Sequence, residues 1–213
     1  PSLVDTDLRK ASAADKQFVA DSLHAATMVE HVYAKQRGVA EWLDKASDTP
    51  SRMMMYRNHG PFCEAPKTEK LPECNALALK PKKTSGLYPL DIQKDYPGFC
   101  AVLEKRADAD KLMHQFVVVR DAPGAKNTGD PAKDKLVPVS YTVEYRADMD
   151  AIAAKLAHAA SVMTDPSEKP LHAYLEAAAK SFKSGDWQLA DEAWAKMTAT
   201  NSKWYLRIAP DET

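Results

Sequence analysis

Nothing in this 213-residue chain approaches the roughly 18 consecutive apolar side chains that a membrane helix requires, so no membrane span is expected. Neither sign of charge is in excess. The 29 Lys and Arg residues are balanced by 30 Asp and Glu, which removes the electrostatic basis for nucleic acid or an anionic surface as a partner. No HExxH, GxSxG, Walker or GxGxxG motif occurs, and the residues alone give no complete catalytic apparatus. There is no CxxC and no CxxCH, the latter the signature of haem attachment. No repeat of fixed period is visible, which argues against a solenoid. Glycine is scarce, 7 residues against 14 prolines, a balance suited to helices joined by stiff loops.

The chain has only three cysteines, but they are patterned. Cys63 and Cys74 bracket the Pro-rich stretch CEAPKTEKLPEC, which has no periodicity and little to pack. A disulfide between them explains how such a loop holds together; two buried thiols are the alternative. Cys100 is then left over, and an odd cysteine in an exported protein looks for a partner elsewhere. The start at Pro1 rather than Met fits a mature chain after leader removal, or a piece of a longer one. Together these features set the expectation of an exported protein, periplasmic or extracellular.

Periodicity gives the elements. Residues 13–37 read as a long helix with Phe18, Leu23 or Ser22, Ala26, Val29 and Tyr33 on one face, stopped by Gly38. A shorter helix covers 39–47. Thr49-Pro50, an N-cap followed by proline at the first helical position, opens another that ends at Asn58-His59-Gly60-Pro61. Residues 61–99 are loop-rich, and one short helix is expected over 100–113. Two β-like runs follow, near 116–120 and 136–145, around a polar connection that should be exposed and mobile. Helices over 147–163, with Met149, Ile152, Leu156, Ala159, Ala160 and Met163, and over 167–184, with Leu171, Tyr174, Leu175, Ala178 and Phe182, carry Ala-rich apolar faces. In Asp186–Thr213, Trp187, Ala190, Trp194 and Met197 mark one helix face. Trp204, Leu206 and Ile208 then alternate with Lys203, Tyr205 and Arg207, as in a half-buried strand. A lone strand needs neighbours for its backbone groups. The expected fold class is α+β, predominantly α-helical with a small antiparallel β-sheet drawn from 116–120, 136–145 and 203–209. The expected organisation is a helical N-terminal subdomain over 1–85, with the disulfide-closed loop, and a mixed lobe over 86–213 that continues beyond the chain end.

Candidate sites are few. His24 and His31 lie seven residues apart on the long helix, on roughly one face, but a metal would need further ligands there. They read as polar helix-face residues. Met53-Met54-Met55 reads as core packing. Asp211 and Glu212 are different: two carboxylates following Pro210 at the end of an apolar strand, where one could hold an ammonium group such as a peptide amino terminus. An exposed acidic turn is the plainer reading.

Gly86-Leu87-Tyr88-Pro89 with Asp91, the run Phe116–Arg120, Val137-Pro138-Val139-Ser140-Tyr141 with Tyr145, the helices through 184, and the block Trp194 to Asn201-Ser202-Lys203-Trp204-Tyr205-Leu206-Arg207-Ile208-Ala209-Pro210-Asp211-Glu212 follow one another in an order that resembles a region of the dipeptidyl peptidase III family, zinc peptidases of the M49 type. In that family a strand of this kind ends in Glu-Ser/Thr-Tyr, whose Glu helps to bind the free N-terminus of the substrate. Glu212-Thr213 resembles the first two positions. Residues 1–85 have no counterpart in the resemblance. The family's zinc-binding HExxGH helix and its second-helix glutamate are absent; in the family they lie C-terminal to this region. The resemblance thus implies the substrate-binding lobe of a hydrolase, inactive by itself, with no cofactor in this chain and zinc in a missing C-terminal part. The implied partners are that C-terminal part, as a separate or missing chain, and a peptide substrate. In the whole enzyme, zinc-activated water would attack the peptide carbonyl with a glutamate as general base.

The rival expectation is a helical protein-interaction or scaffold domain without catalytic activity. The helix-turn-helix run 167–199 resembles one tetratricopeptide-like hairpin, although no second copy follows at the spacing of about 34 residues that such arrays use.

Overall fold

The computed structural model describes residues 6–71, 73–79, 81–95 and 98–209. The fold is α+β and mostly helical, with one two-stranded antiparallel sheet. The chain forms two compact units, Pro1–Val29 with Tyr145–Thr213, and Glu30–Glu144. The division follows contacts rather than chain order, and position 85 lies inside the second unit.

The first unit is built on helices. Helix α1 (Ala13–Gln36) starts at a reciprocal cap: the Asp15 N–H donates to Ser12 Oγ, and the Ser12 N–H to Asp15 Oδ2. Up to Val29, where the first unit's share of the helix ends, its buried side chains are Asp15, Phe18, Asp21 and Ala25; beyond it Val32 and Ala34 are buried, while Leu23 and Tyr33 are exposed. The expected apolar face is therefore rotated. The reason is Asp21, a carboxylate that the apolar pattern assigns to solvent. It is 1% exposed and accepts from His158 Nδ1 at 2.6 Å, Gln17 Nε2 at 3.1 Å and Lys155 Nζ at 3.4 Å. Burial works to raise its pKa, but these partners outweigh burial and lower it.

Later in the chain, α6 (Arg146–Val162) packs along α7 (Lys169–Ser184), and α8 (Gln188–Ala195) packs on α7. Met149, Ile152, Leu156 and Ala160 of α6 meet Leu171, Tyr174, Leu175, Ala178 and Phe182 of α7, all buried at helical spacing. A fully buried leucine such as Leu156 or Leu175 contributes about 1.5–3 kcal/mol. Asp165 accepts from the Ser167 N–H and starts the turn Pro166–Glu168 that enters α7. Gly185, at φ 79°, ends α7 in the left-handed region that favours glycine.

In the second unit, α2 (Thr49–Asn58) is capped by Asp48, not Thr49: its carboxylate accepts the Ser51 N–H at 2.9 Å. Cys63 and Cys74 are joined by a disulfide with a Cα–Cα distance of 5.7 Å. The buried Gln93 side chain organises the prolyl stretch. Its amide nitrogen donates to Ser85 O and Tyr88 O, and its oxygen accepts the Ser85 N–H. Gly86 has no room for a side chain, since a Cβ there would lie 1.8 Å from Lys35 O.

The expected single helix over 100–113 is two, α3 (Phe99–Leu103) and α4 (Ala109–Leu112). Arg106 breaks the run by turning to Asp108 and to the carbonyls of Pro131 and Asp134. Strands β1 (Val117–Asp121) and β2 (Leu136–Ser140) pair in the register Val117↔Ser140 to Asp121↔Leu136. The second strand ends at Ser140, although the next residue still reaches across: the Tyr141 N–H donates to the carbonyl of Phe116, itself left-handed at φ 62°. Residues Tyr141–Glu144 close into the short helix α5 instead. Ile92, Phe99, Leu103, Leu112, Val119 and Leu136 form the core beneath. The polar connection 122–135 is tightly bonded rather than loose. The buried Asp134 carboxylate accepts the N–H groups of Thr128, Gly129 and Asp130, and the Thr128 N–H is the first cause of its lowered pKa.

The run 203–209 corrects the expectation of a third strand. Among the described residues it joins no sheet.

Candidate functional site

Within the first unit, residues 202–208 form an extended segment whose burial alternates with period two, as a strand's does. Trp204, Leu206 and Ile208 lie inward, and Lys203, Tyr205 and Arg207 outward. Side chains, not a neighbouring strand, hold its ends. At the start, the Lys203 N–H donates to Glu168 Oε1 at 2.8 Å, and Ser202 Oγ donates to Glu168 Oε2. Asp15 then takes both Lys203 Nζ and Trp204 Nε1, each at 2.7 Å. The Lys203 ammonium first, and the Trp204 N–H second, hold the Asp15 carboxyl well below the usual carboxylate range. Phe18 packs on the Trp204 ring at 5.5 Å.

At the far end, the buried Tyr174 hydroxyl serves both backbone groups of Ile208. It accepts the N–H at 2.7 Å and donates to the C=O at 3.1 Å. On the outward face, the Arg207 guanidinium lies 5.1 Å from the Trp194 ring centroid, and the Tyr205 ring packs against the same ring at 5.9 Å, tilted by 50°. Between the two anchors, the backbone N–H and C=O groups of Tyr205 and Leu206 make no hydrogen bond among the described residues. Such a segment is a rigid, strand-shaped edge with open pairing groups in its middle.

Asp211 and Glu212, the residues expected to hold a peptide amino terminus, lie outside the described residues, and Ala209 is the last residue described before them. His24 and His31 are both exposed on α1. Among the described residues, no group of three or more His, Cys, Asp or Glu could hold a metal ion. Cys100 is a free, half-buried thiol whose pKa burial pushes up. Asp15, Glu168 and Tyr174 hold the segment; the sequence points to neither carboxylate, and to Tyr174 only as part of a helix face. Only the Ser12-x-x-Asp15 cap is a local signal, and it says nothing of a partner 188 residues away.

No protein-family model matches the chain, and no curated protein does. Two solved structures do. The dipeptidyl-peptidase III of Corallococcus sp. strain EGB aligns over 93% of this chain and 36% of its own, with a TM-score of 0.68 and 23% identity. The dipeptidyl-peptidase III of Caldithrix abyssi aligns over 92% of this chain and 36% of its own, with a TM-score of 0.62 and 21% identity. The chain therefore has the fold of part of these proteins and spans about a third of their length. The likeness reaches beyond the residue-86 limit of the sequence resemblance, because 93% coverage takes in most of residues 1–85.

Proposed function

We propose that this chain is the substrate-binding lobe of an exported, zinc-dependent peptidase of the dipeptidyl-peptidase III type, inactive without a C-terminal metal-binding part. The observation that supports the reading is the fold shared with the two dipeptidyl-peptidase III structures over nearly the whole of this chain and about a third of theirs. The disulfide and the absence, among the described residues, of any helix able to cross a membrane are compatible with export. The proposal takes zinc, as the resemblance to dipeptidyl peptidase III implies, to belong to the remainder of the protein, and it routes no step of the chemistry through this chain.

The work of this lobe is binding and orientation. The open backbone groups at Tyr205 and Leu206 offer pairing to an extended peptide. The clamps at Asp15, Glu168 and Tyr174 keep that edge extended, so little ordering entropy remains to be lost on binding. The segment leads toward Asp211 and Glu212, and Glu212 is the carboxylate proposed to take the peptide's ammonium group through a charge-assisted hydrogen bond.

Intact mass of the native material, under denaturing conditions with and without reductant, is the first test. A second polypeptide carrying HExxGH, or a longer single chain, is expected. Hydrolysis of dipeptidyl substrates by the isolated 213-residue chain would sink the proposal. In the complete protein, Glu212→Gln is expected to raise KM for free-amine peptides about 10- to 100-fold, the loss of one charge-assisted bond. N-acetylated peptides should be equally poor substrates of both forms. An unchanged KM would return Asp211-Glu212 to an exposed acidic turn and favour the interaction-domain reading.

A further inference from the structure

We propose that the Cys63–Cys74 disulfide is a reducible clasp that holds a small apolar plug, Ala76 and Leu77, in its seat. The bond joins two half-buried residues, so an external thiol has a path to sulfur. The loop between them is mostly exposed, and its own hydrogen bonds are local turns: Thr68 and Glu69 N–H to Ala65 O, Leu71 N–H to Thr68 O, Cys74 N–H to Leu71 O. None of these ties the loop to the rest of its unit.

The ties lie at the loop's two ends, beside the sulfurs. Phe62 and Asn75 form an isolated antiparallel bridge, and the Ala76 N–H donates to Pro61 O at 2.8 Å. Asn75 Oδ1 accepts the Leu77 N–H at 2.8 Å. Next to Cys63, the Glu64 carboxylate joins Arg37 at 2.7 Å to Lys83 at 3.1 Å. Immediately beyond, Ala76 and Leu77 are two of the four buried residues of a small core, with Ala46 and Met55; Trp42, Leu43 and Met54 flank it. Two apolar side chains contribute a few kcal/mol at most, against about 1–2 kcal/mol of backbone entropy for each residue ordered. So small a seat depends on the tether beside it.

Opening requires a dithiol as co-reactant. Its thiolate attacks one sulfur, a mixed disulfide forms, and its second thiol displaces the protein thiol. Two electrons and two protons pass to Cys63 and Cys74, which become thiols, and the dithiol becomes a disulfide. Loss of the cross-link returns conformational freedom to the open loop and shifts the opening equilibrium about 100-fold.

Hydrogen exchange of the 213-residue chain before and after dithiothreitol tests this, with alkylation counting one reactive thiol, Cys100, before and three after. Amides of Ala76 and Leu77 should exchange about 100-fold faster on reduction, while those of α6 and α7 keep their protection. Unchanged exchange at Ala76 and Leu77 in the fully reduced chain would overturn the proposal. So would parallel loss of protection in α6 and α7, which would make the bond a staple of the whole fold. A bond that dithiothreitol leaves closed under native conditions would also exclude a clasp. The double variant Cys63→Ser, Cys74→Ser should reproduce the reduced pattern, and the reduced wild-type chain carries the test whatever that variant's yield.

Discussion

Tyr174→Phe is expected to lower stability by about 2–4 kcal/mol, from the removal of one oxygen atom. In the native chain that hydroxyl is the partner of both the N–H and the C=O of Ile208, in a place where Tyr174 is 1% and Ile208 8% exposed. Phenylalanine keeps the ring and its packing against α6 but leaves two buried backbone groups without partners, each worth about 1–3 kcal/mol. The loss should appear as a lower urea midpoint at unchanged slope, followed by the fluorescence of the four tryptophans. Tyr205→Phe is the control, because its side chain is exposed and such changes stay within about 0.5 kcal/mol. A shift for Tyr174→Phe no larger than the control's would mean that the segment is not fastened at Ile208.

The helices were legible where burial is apolar and periodic. Along α6 and α7 the buried residues recur at three and four steps, and the sequence reading named most of them. It failed on α1 for a reason visible at Asp21. A buried carboxylate is stable only with partners, and the two cationic or ionisable ones of Asp21, Lys155 and His158, lie more than 130 residues away, with only Gln17 close by. No local pattern carries that information. The β1–β2 pair was legible from its β-branched residues, but not its end, where Tyr141–Glu144 turns into a helix inside the expected run 136–145. The connection 122–135 was expected to be loose because it is polar; Asp134 makes it tight by gathering three successive N–H groups.

The segment 202–208 shows the same division more sharply. Its alternation was legible, and the burial follows it. What cannot be read from alternation is who satisfies the backbone. A strand was expected to need another strand, yet a tyrosine hydroxyl and a glutamate carboxylate supply the end bonds. Side-chain anchors of this kind leave the middle of the edge open, whereas a neighbouring strand would have occupied it. The anchoring residues and the proposed binding edge are thus one device, and damage to an anchor should weaken peptide binding without touching a residue that meets the peptide.

Asp15→Asn is the sharpest form of that expectation. The carboxylate presents one oxygen to Trp204 Nε1 and the other to Lys203 Nζ, and the second oxygen also closes the α1 cap with the Ser12 N–H. An amide has one acceptor. Whichever way it turns, its NH₂ faces a donor, so at least one of these bonds is lost and a repulsive contact replaces it. At neutral pH the cost should be about 2–4 kcal/mol, since hydrogen bonds to charged groups are worth about 1.5–3 kcal/mol each. The pH dependence identifies the cause. Because folding depresses the Asp15 pKa, its contribution is full above the unfolded value near 3.9 and is lost as pH falls through that region toward the folded value. The gap in Tm between wild type and Asp15→Asn should therefore be constant from about pH 7 to pH 5 and narrow below about pH 4. A gap that stays constant down to pH 2 would show that packing around Trp204 and Phe18, not the charge on Asp15, holds the segment to α1.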